Sequence, residues 1–150
     1  MHEFLRATPE HVEAVAARVR KTDDAVNLAV TGRTTLEELQ GRLKTSPEVW
    51  TWIIDGEPVA IFGLDPYSLL GNVWHPWLVA TDAVEKSPML FLKTCKKVLP
   101  VLMEGGKTLL DYADSRDTRV LNWLRWLGFT IFPEEPYGVS GVPFHRCELR

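Results

Sequence analysis

The sequence predicts a mixed α/β fold, in which a central mixed sheet of about six to seven strands is flanked by about four helices. Two observations carry that prediction. Two β-rich runs, 49–54 (VWTWII) and 58–64 (PVAIFGL), flank Asp55-Gly56-Glu57, and Asp-Gly between such runs is a strong short-range hairpin signal. Residues 109–129 (LLDYADSRDTRVLNWLRWLGF) then pass from an apolar stretch through a polar turn into an amphipathic helix that ends at Gly128-Phe129. The first feature makes an antiparallel hairpin and the second the core of a β-α-β unit.

The remaining elements follow in chain order. Glu3–Ala7 alternates and reads as a first strand. Thr8-Pro9-Glu10 opens a helix, because Thr8 caps free N–H groups and proline suits the first helical position. Val12, Val15, Ala16 and Val19 recur at helical spacing, so one apolar face runs through Arg20. The stretch 21–33 reads as a connection containing some helix. Thr34-Thr35-Leu36-Glu37-Glu38 is a capping-box start, with Leu36, Leu39 and Leu43 on one face. After the hairpin, residues 66–71 read as a loop and 73–81 (VWHPWLVAT) as a strand, in which Pro76 implies an edge, a bulge or a late start. Ser87-Pro88 caps a third helix whose buried side carries Leu92, Cys95, Val98, Leu99 and Leu102, and Pro100 should kink it or end its first segment. Residues 108–113 form a strand, 117–127 a helix, 129–132 a strand, 133–143 a proline- and glycine-rich loop, and 144–149 a last strand.

Composition narrows the class. The chain has 150 residues, 45% of them apolar and 25% charged, which suits one globular domain spanning 1–150. A net charge of −3 argues against nucleic acid as a partner. The two cysteines, Cys95 and Cys147, lie in no CxxC or His/Cys spacing, which argues against a metal site and gives no disulfide framework. No apolar run approaches the ~18–20 residues that span a bilayer, and the N-terminus has no apolar signal region, so the expected setting is intracellular, away from the membrane.

The strand–turn–helix–GF order of 109–129 resembles the C-terminal signature of the GNAT superfamily of N-acetyltransferases, and the element order is also that of the GNAT-like fold. The closer resemblance is to a phage-associated branch of GNAT-like proteins that includes the podophage internal virion proteins. It covers roughly 77–149, in PWLVATDAVEKSP, FLK, DYADSRD, VLNWLRWLGFTI and PYGVSGVPFHRCELR. The resemblance implies acetyl-CoA as cofactor, held in a gap between the fourth and fifth strands, and a small amine or a protein lysine as acceptor. It implies that the pyrophosphate rests on N–H groups of the segment 81–89, assisted by Lys86 and Ser87, and that the backbone N–H groups of Leu78, Val79 and Ala80 serve the thioester and the pantetheine arm. Asp117 stands where the family often has asparagine, and Leu124 where many members have a tyrosine acid. The 81–89 segment also lacks the family's glycines.

For a base, His75, Asp82 and Glu85 lie near that strand, and His75 has the suitable intrinsic pKa, although beside Trp74, Pro76 and Trp77 it also reads as a structural histidine. His145 has the same two readings. Tyr112 and Tyr137 are the nearest tyrosines to the site. Two functions follow from the resemblance: an acetyl-CoA-dependent N-acetyltransferase with His75 and Glu85 as catalytic candidates, or a non-catalytic GNAT-like phage protein. The second is packed in the virion or bound to a host protein, in the host cytoplasm.

Overall fold

In the computed structural model, which describes residues 2–150 with the side chains of Thr22 and Val26 excepted, the hairpin and the β-α-β unit belong to one sheet. Its strands are β1 (His2–Arg6), β2 (Val49–Ile54), β3 (Glu57–Ser68), β4 (Val73–Ala80), β5 (Thr108–Asp114), β6 (Thr130–Tyr137) and β7 (Val142–Leu149). They lie in the order β1-β2-β3-β4-β5-β7-β6. Every pairing is antiparallel except β4–β5, which is parallel. At the β2–β3 turn, Asp55 and Gly56 have φ of 49° and 80°. Two positive φ values in sequence give the twist that a two-residue hairpin needs.

The helices are α1 (Pro9–Ala16), α2 (Lys21–Thr31), α3 (Thr35–Thr45), α4 (Ala83–Lys86), α5 (Pro88–Leu102) and α6 (Thr118–Leu127). Thr8 and Thr34 cap α1 and α3 through their hydroxyls, each with a reciprocal side-chain bond from the third helical residue. The apolar face expected to run through Arg20 stops at Ala16, because Val19 leaves the helix to bridge Thr81 beyond β4. Residues 21–31, expected to be mostly connection, are helical and stop at Gly32, whose φ of 73° lets its N–H reach Leu28 O. Helix α5 continues through Pro100 and ends two residues later.

Prolines shorten the strands less than expected. Residues 66–68 remain in β3 after an irregularity in register, and Pro133 and Pro136 lie inside β6. Because β6 is an edge strand, one side of its backbone has no ladder to lose, and a register shift between Ile131 and Glu134 absorbs the misfit.

The sheet buries side chains on both faces. Val12, Val15, Leu39, Val49, Ile61 and Trp77 pack under α1 and α3. Leu109, Ala113, Leu121, Leu124, Phe129 and Cys147 pack under α6 on the other face. Trp52, Val59, Ala60, Ala80 and Val84 continue that second face toward α4 and α5. Residues alternate between these layers along β4: Trp77 joins the first, Leu78 and Ala80 the second. Among the described residues, no helix is long and apolar enough to cross a membrane.

Candidate functional site: the gap between β4 and β5

The parallel ladder of β4 and β5 is two pairs long, Val73 with Thr108 and Trp74 with Leu109. Beyond Trp74 the strands separate, and Pro76 is the second residue past the last pair. Its position has a physical reason. Ala80 N–H points away from β3, toward Asp23 Oδ2 at 3.4 Å. Alternation then directs the backbone of Leu78 and Pro76 to the same side, toward the gap. The proline therefore stands on an edge with no partner strand, and Leu78 N–H is the donor that edge presents to the opening.

Two cavities meet there. One, of about 250 Å³, lies toward α5 and α6 among Trp52, Phe62, Phe91, Leu99, Trp123 and Phe129. The other, of about 160 Å³, lies toward α2 and α3 beside Asn27, Thr35, Glu38, Arg42, Val79 and Asp117. Asp23, Trp77, Leu78, Tyr112 and Val120 line both, so they mark the passage through the sheet. The first chamber is apolar and aromatic; the second carries several carboxylates, including Asp23, Glu38, Asp114 and Asp117.

A His–Asp pair crosses the narrow end of the gap. His75 Nε2 lies 3.1 Å from Asp111 Oδ1, and both side chains are 29% exposed. The same Asp111 oxygen accepts Tyr112 N–H at 2.8 Å, taking the place of a strand partner for that amide. An ionised carboxylate only accepts, so a neutral His75 donates from Nε2 and keeps its lone pair on Nδ1. Next to it, the ring of Tyr112 stacks on that of Tyr137 at 3.9 Å and 9°. Burial foremost, with a hydrogen bond to Tyr67, pushes the Tyr112 phenol up to about 12.

The α2 side of the opening is closed by the tip of the β6–β7 hairpin. Val139 N–H and Ser140 N–H donate to Val30 O and Ala29 O at 3.3 and 3.4 Å, and Ser140 Oγ donates to Ala29 O at 3.0 Å. Gly138 makes this approach feasible, since a Cβ there would lie 2.6 Å from Val30 Cα. The PYGVSG segment thus braces α2 against the sheet.

The other sequence candidates are dispersed. Along 82–87, the N–H groups of Asp82, Ala83, Val84, Glu85 and Ser87 already bond to Arg18 O, Thr81 Oγ1, Thr81 O, Asp82 O and Val84 O. Ser87, expected to cap α5, makes no side-chain cap bond: its ψ of 62° falls outside the extended range that a capping hydroxyl needs. Lys86 is exposed. Glu85 faces Arg119 at 3.9 Å and lines neither cavity, and Asp82 pairs with Arg18 at 3.2 Å. Asp117 caps α6, accepting Val120 N–H at 3.1 Å, while its side of the helix start borders the smaller cavity. His145 Nδ1 is bonded to Phe132 O at 2.7 Å within the β6–β7 pair. Leu124 is 2% exposed in the core, and Val79 borders the smaller cavity from the β4 floor.

Three residues of the gap escaped the sequence reading. Asp23 lay in a stretch read as a connection. Asp111 was noted as a strand residue but acquires its role only when the fold brings His75 beside it. Trp77 was named only as a neighbour of His75. Among the described residues, no group of three His, Cys, Asp or Glu side chains could hold a metal ion.

No family model and no curated protein matches the sequence. Solved structures do match the fold. A GNAT-family acetyltransferase from Streptococcus pneumoniae superposes with a TM-score of 0.66 at 10% identity, over 99% of this chain and 99% of that one. The chain has the GNAT fold. A ribosomal-protein-alanine N-acetyltransferase from Brucella melitensis gives 0.72 at 15% identity, covering 98% of each chain. The yncA protein from Salmonella typhimurium, solved with its cofactor acetyl-CoA, gives 0.69 at 15%, over 100% of this chain and 94% of that one.

Proposed function

We propose that this chain is an acetyl-CoA-dependent N-acetyltransferase that holds its cofactor in the gap between β4 and β5 and acetylates a small amine or a protein amine. One observation carries the reading: the two-pair parallel ladder that opens into a passage through the sheet. Solved neighbours of the same fold are acetyltransferases, and one of them holds acetyl-CoA. The residues fit such a group unequally. The apolar chamber and Leu78 N–H suit a thioester arm, whereas the bonded N–H groups of Asp82–Glu85 and Ser87 leave Lys86 as the cation that this segment itself offers a phosphate.

Bound acetyl-CoA supplies the acetyl group as a thioester. The chain's own residues do the rest. Phe62, Leu78, Phe91 and Trp123 exclude water from the gap. Leu78 N–H points a donor into it, where developing negative charge on a carbonyl oxygen gains most from a fixed dipole. His75 lines neither cavity but is held at the narrow end of the gap by Asp111, which lines the larger one, and its Nδ1 is the lone pair assigned to the amine proton. Tyr112 holds a phenolic proton beside the passage that would go to the leaving thiolate, and the proton taken up by His75, passed back through solvent, would restore the phenol. Of the smaller chamber's carboxylates, Asp23, Glu38 and Asp114 are paired with arginines, which leaves Asp117 to favour an ammonium on that side. Glu85 has no part in this scheme, standing on the outer surface of α4.

The test is amine-dependent thiol release from acetyl-CoA across a panel of small amines and peptides, followed with a chromogenic disulfide. Turnover is expected with at least one acceptor, falling about 10²-fold or more in His75→Gln. Release no faster than in protein-free controls with every acceptor would overturn the reading.

A second reading has its own observation. The N–H groups of Asp82, Ala83, Val84, Glu85 and Ser87 are bonded within the chain, and the far end of the β4 edge is covered by the chain itself. Both suit a non-catalytic GNAT-fold phage protein that packs in the virion or binds a host protein. Recovery of the protein from purified virions, with no turnover, would favour it.

A further inference from the structure

The edge of β4 that faces the gap is not bare at its far end. Arg20 N–H donates to Ala80 O at 3.2 Å, and Asp23 Oδ2 accepts Ala80 N–H at 3.4 Å. Val19 forms an antiparallel bridge with Thr81, and Asp82 N–H donates to Arg18 O at 3.4 Å. Residues 18–23 thus stand where β5 would stand had it stayed alongside β4. One set of charges pins them to the sheet and its following turn, and another stiffens the segment internally. Arg18 reaches Asp82 at 3.2 Å and Glu57 at 3.4 Å, both pairs exposed. Arg20 grips both oxygens of Asp23 at 3.0 and 3.1 Å, with side chains only 20% and 17% exposed.

We propose that residues 18–23 are a strap across the mouth of the larger cavity, which must lift from Ala80 and Thr81 before an extended ligand can lie along β4. Arg20 and Asp23 both line that cavity, so their displacement enlarges its entrance. The strap's contacts with β4 run through a few backbone bonds and one half-buried carboxylate, a set that local motion breaks without unfolding the core. Asp23 is a costly anchor: burial pushes its carboxyl up, against the opposing pull of Arg20, and Asp117 adds to the push. The inference rests on the reading of the gap as a cofactor site, and it supplies that site with a gate.

Cys95 gives a readout that needs no cofactor. It lines the larger cavity, while Cys147 is fully buried beneath α6. Alkylation of each thiol by iodoacetamide is followed by peptide mass in the wild type, in Asp23→Ala, which removes the acceptor for Ala80 N–H, and in the milder Arg18→Ala. Lifting the strap is expected to speed Cys95 labelling about tenfold in Asp23→Ala and less in Arg18→Ala, with Cys147 unchanged. Equal Cys95 rates in all three proteins would overturn the strap, whatever acetyl-CoA does. Labelling of both cysteines together marks unfolding of a variant, and the decision then rests on Arg18→Ala. Calorimetry with acetyl-CoA is the second arm, expected to show tighter binding in Asp23→Ala. Faster Cys95 labelling with no acetyl-CoA binding in either protein would sustain the strap and sink the cofactor reading.

Discussion

Replacing Gly138 by alanine should loosen the brace between the β6–β7 tip and α2, and Gly141 supplies the control. Both glycines have positive φ, 76° and 67°. An alanine at either position therefore meets the left-handed penalty of about 1–2 kcal/mol. The difference lies in space. A Cβ on Gly141 meets nothing within 4 Å, but on Gly138 it would lie 2.6 Å from Val30 Cα and 2.7 Å from Ala29 O. Both obstacles are backbone, so the tip must move, at an overpacking cost of about 1–3 kcal/mol. The movement also endangers the bonds of Val139 and Ser140 to α2, each with a net worth of about 0.5–1.5 kcal/mol. Gly138→Ala is thus expected to cost about 3–5 kcal/mol and Gly141→Ala about 1–2 kcal/mol. For a chain of this size one kcal/mol moves the midpoint by about 3 °C, so thermal melts should separate the variants by several degrees. Urea unfolding gives the same comparison isothermally. Costs that agree within about 0.5 kcal/mol would refute the close approach of Gly138 to α2.

Two further predictions concern the gap. Asp114 is buried and its carboxyl is held below the usual carboxylate range chiefly by the Arg116 side-chain hydrogen bond, with a bond from Arg116 N–H. A depressed folded pKa contributes stability above the ordinary value of 3.8 and loses it as pH falls through the folded value. Asp114→Asn should therefore cost about 1–3 kcal/mol in urea unfolding at pH 7, with the difference shrinking below pH ~4; a cost independent of pH would contradict the ion-paired account. Tyr112→Phe should slow thiol release from acetyl-CoA by about 10–10²-fold, yet do little to a thioester whose thiol is as acidic as a thiophenol, which leaves without a proton. Equal losses with both thioesters would make the phenol structural, a partner for Tyr137 and no acid.

Much of the fold is legible in the sequence because its signals are local. Asp55-Gly56 needs positive φ at both positions and has it; Thr8 and Thr34 cap the helices they precede; Asp117 and Gly128 bracket α6. Errors arise where tertiary context overrides local preference. Pro133 and Pro136 look like loop residues until β6 proves to be an edge strand. The apolar periodicity of α1 continues through Val19, but a β-bridge to Thr81 outcompetes another helical turn. Ser87 precedes a proline in the ordinary capping order, yet the break between α4 and α5 gives it the wrong ψ. The site is less legible still. His75 was visible as a histidine of suitable chemistry, but the Asp111 that orients it lies 36 positions away and meets it only where two strands part. Asp23 carried no motif at all; its interest arises from the missing stretch of β4–β5 ladder.

The claim that the gap takes acetyl-CoA is tested most directly by calorimetric titration of the purified chain, beside a Leu78→Trp variant that fills the passage. The account predicts saturable binding of about one equivalent to the wild type, with a raised melting temperature at excess ligand, and loss of both in the filled variant. Absence of heat and of thermal stabilisation at millimolar acetyl-CoA, or undiminished binding in Leu78→Trp, would contradict it.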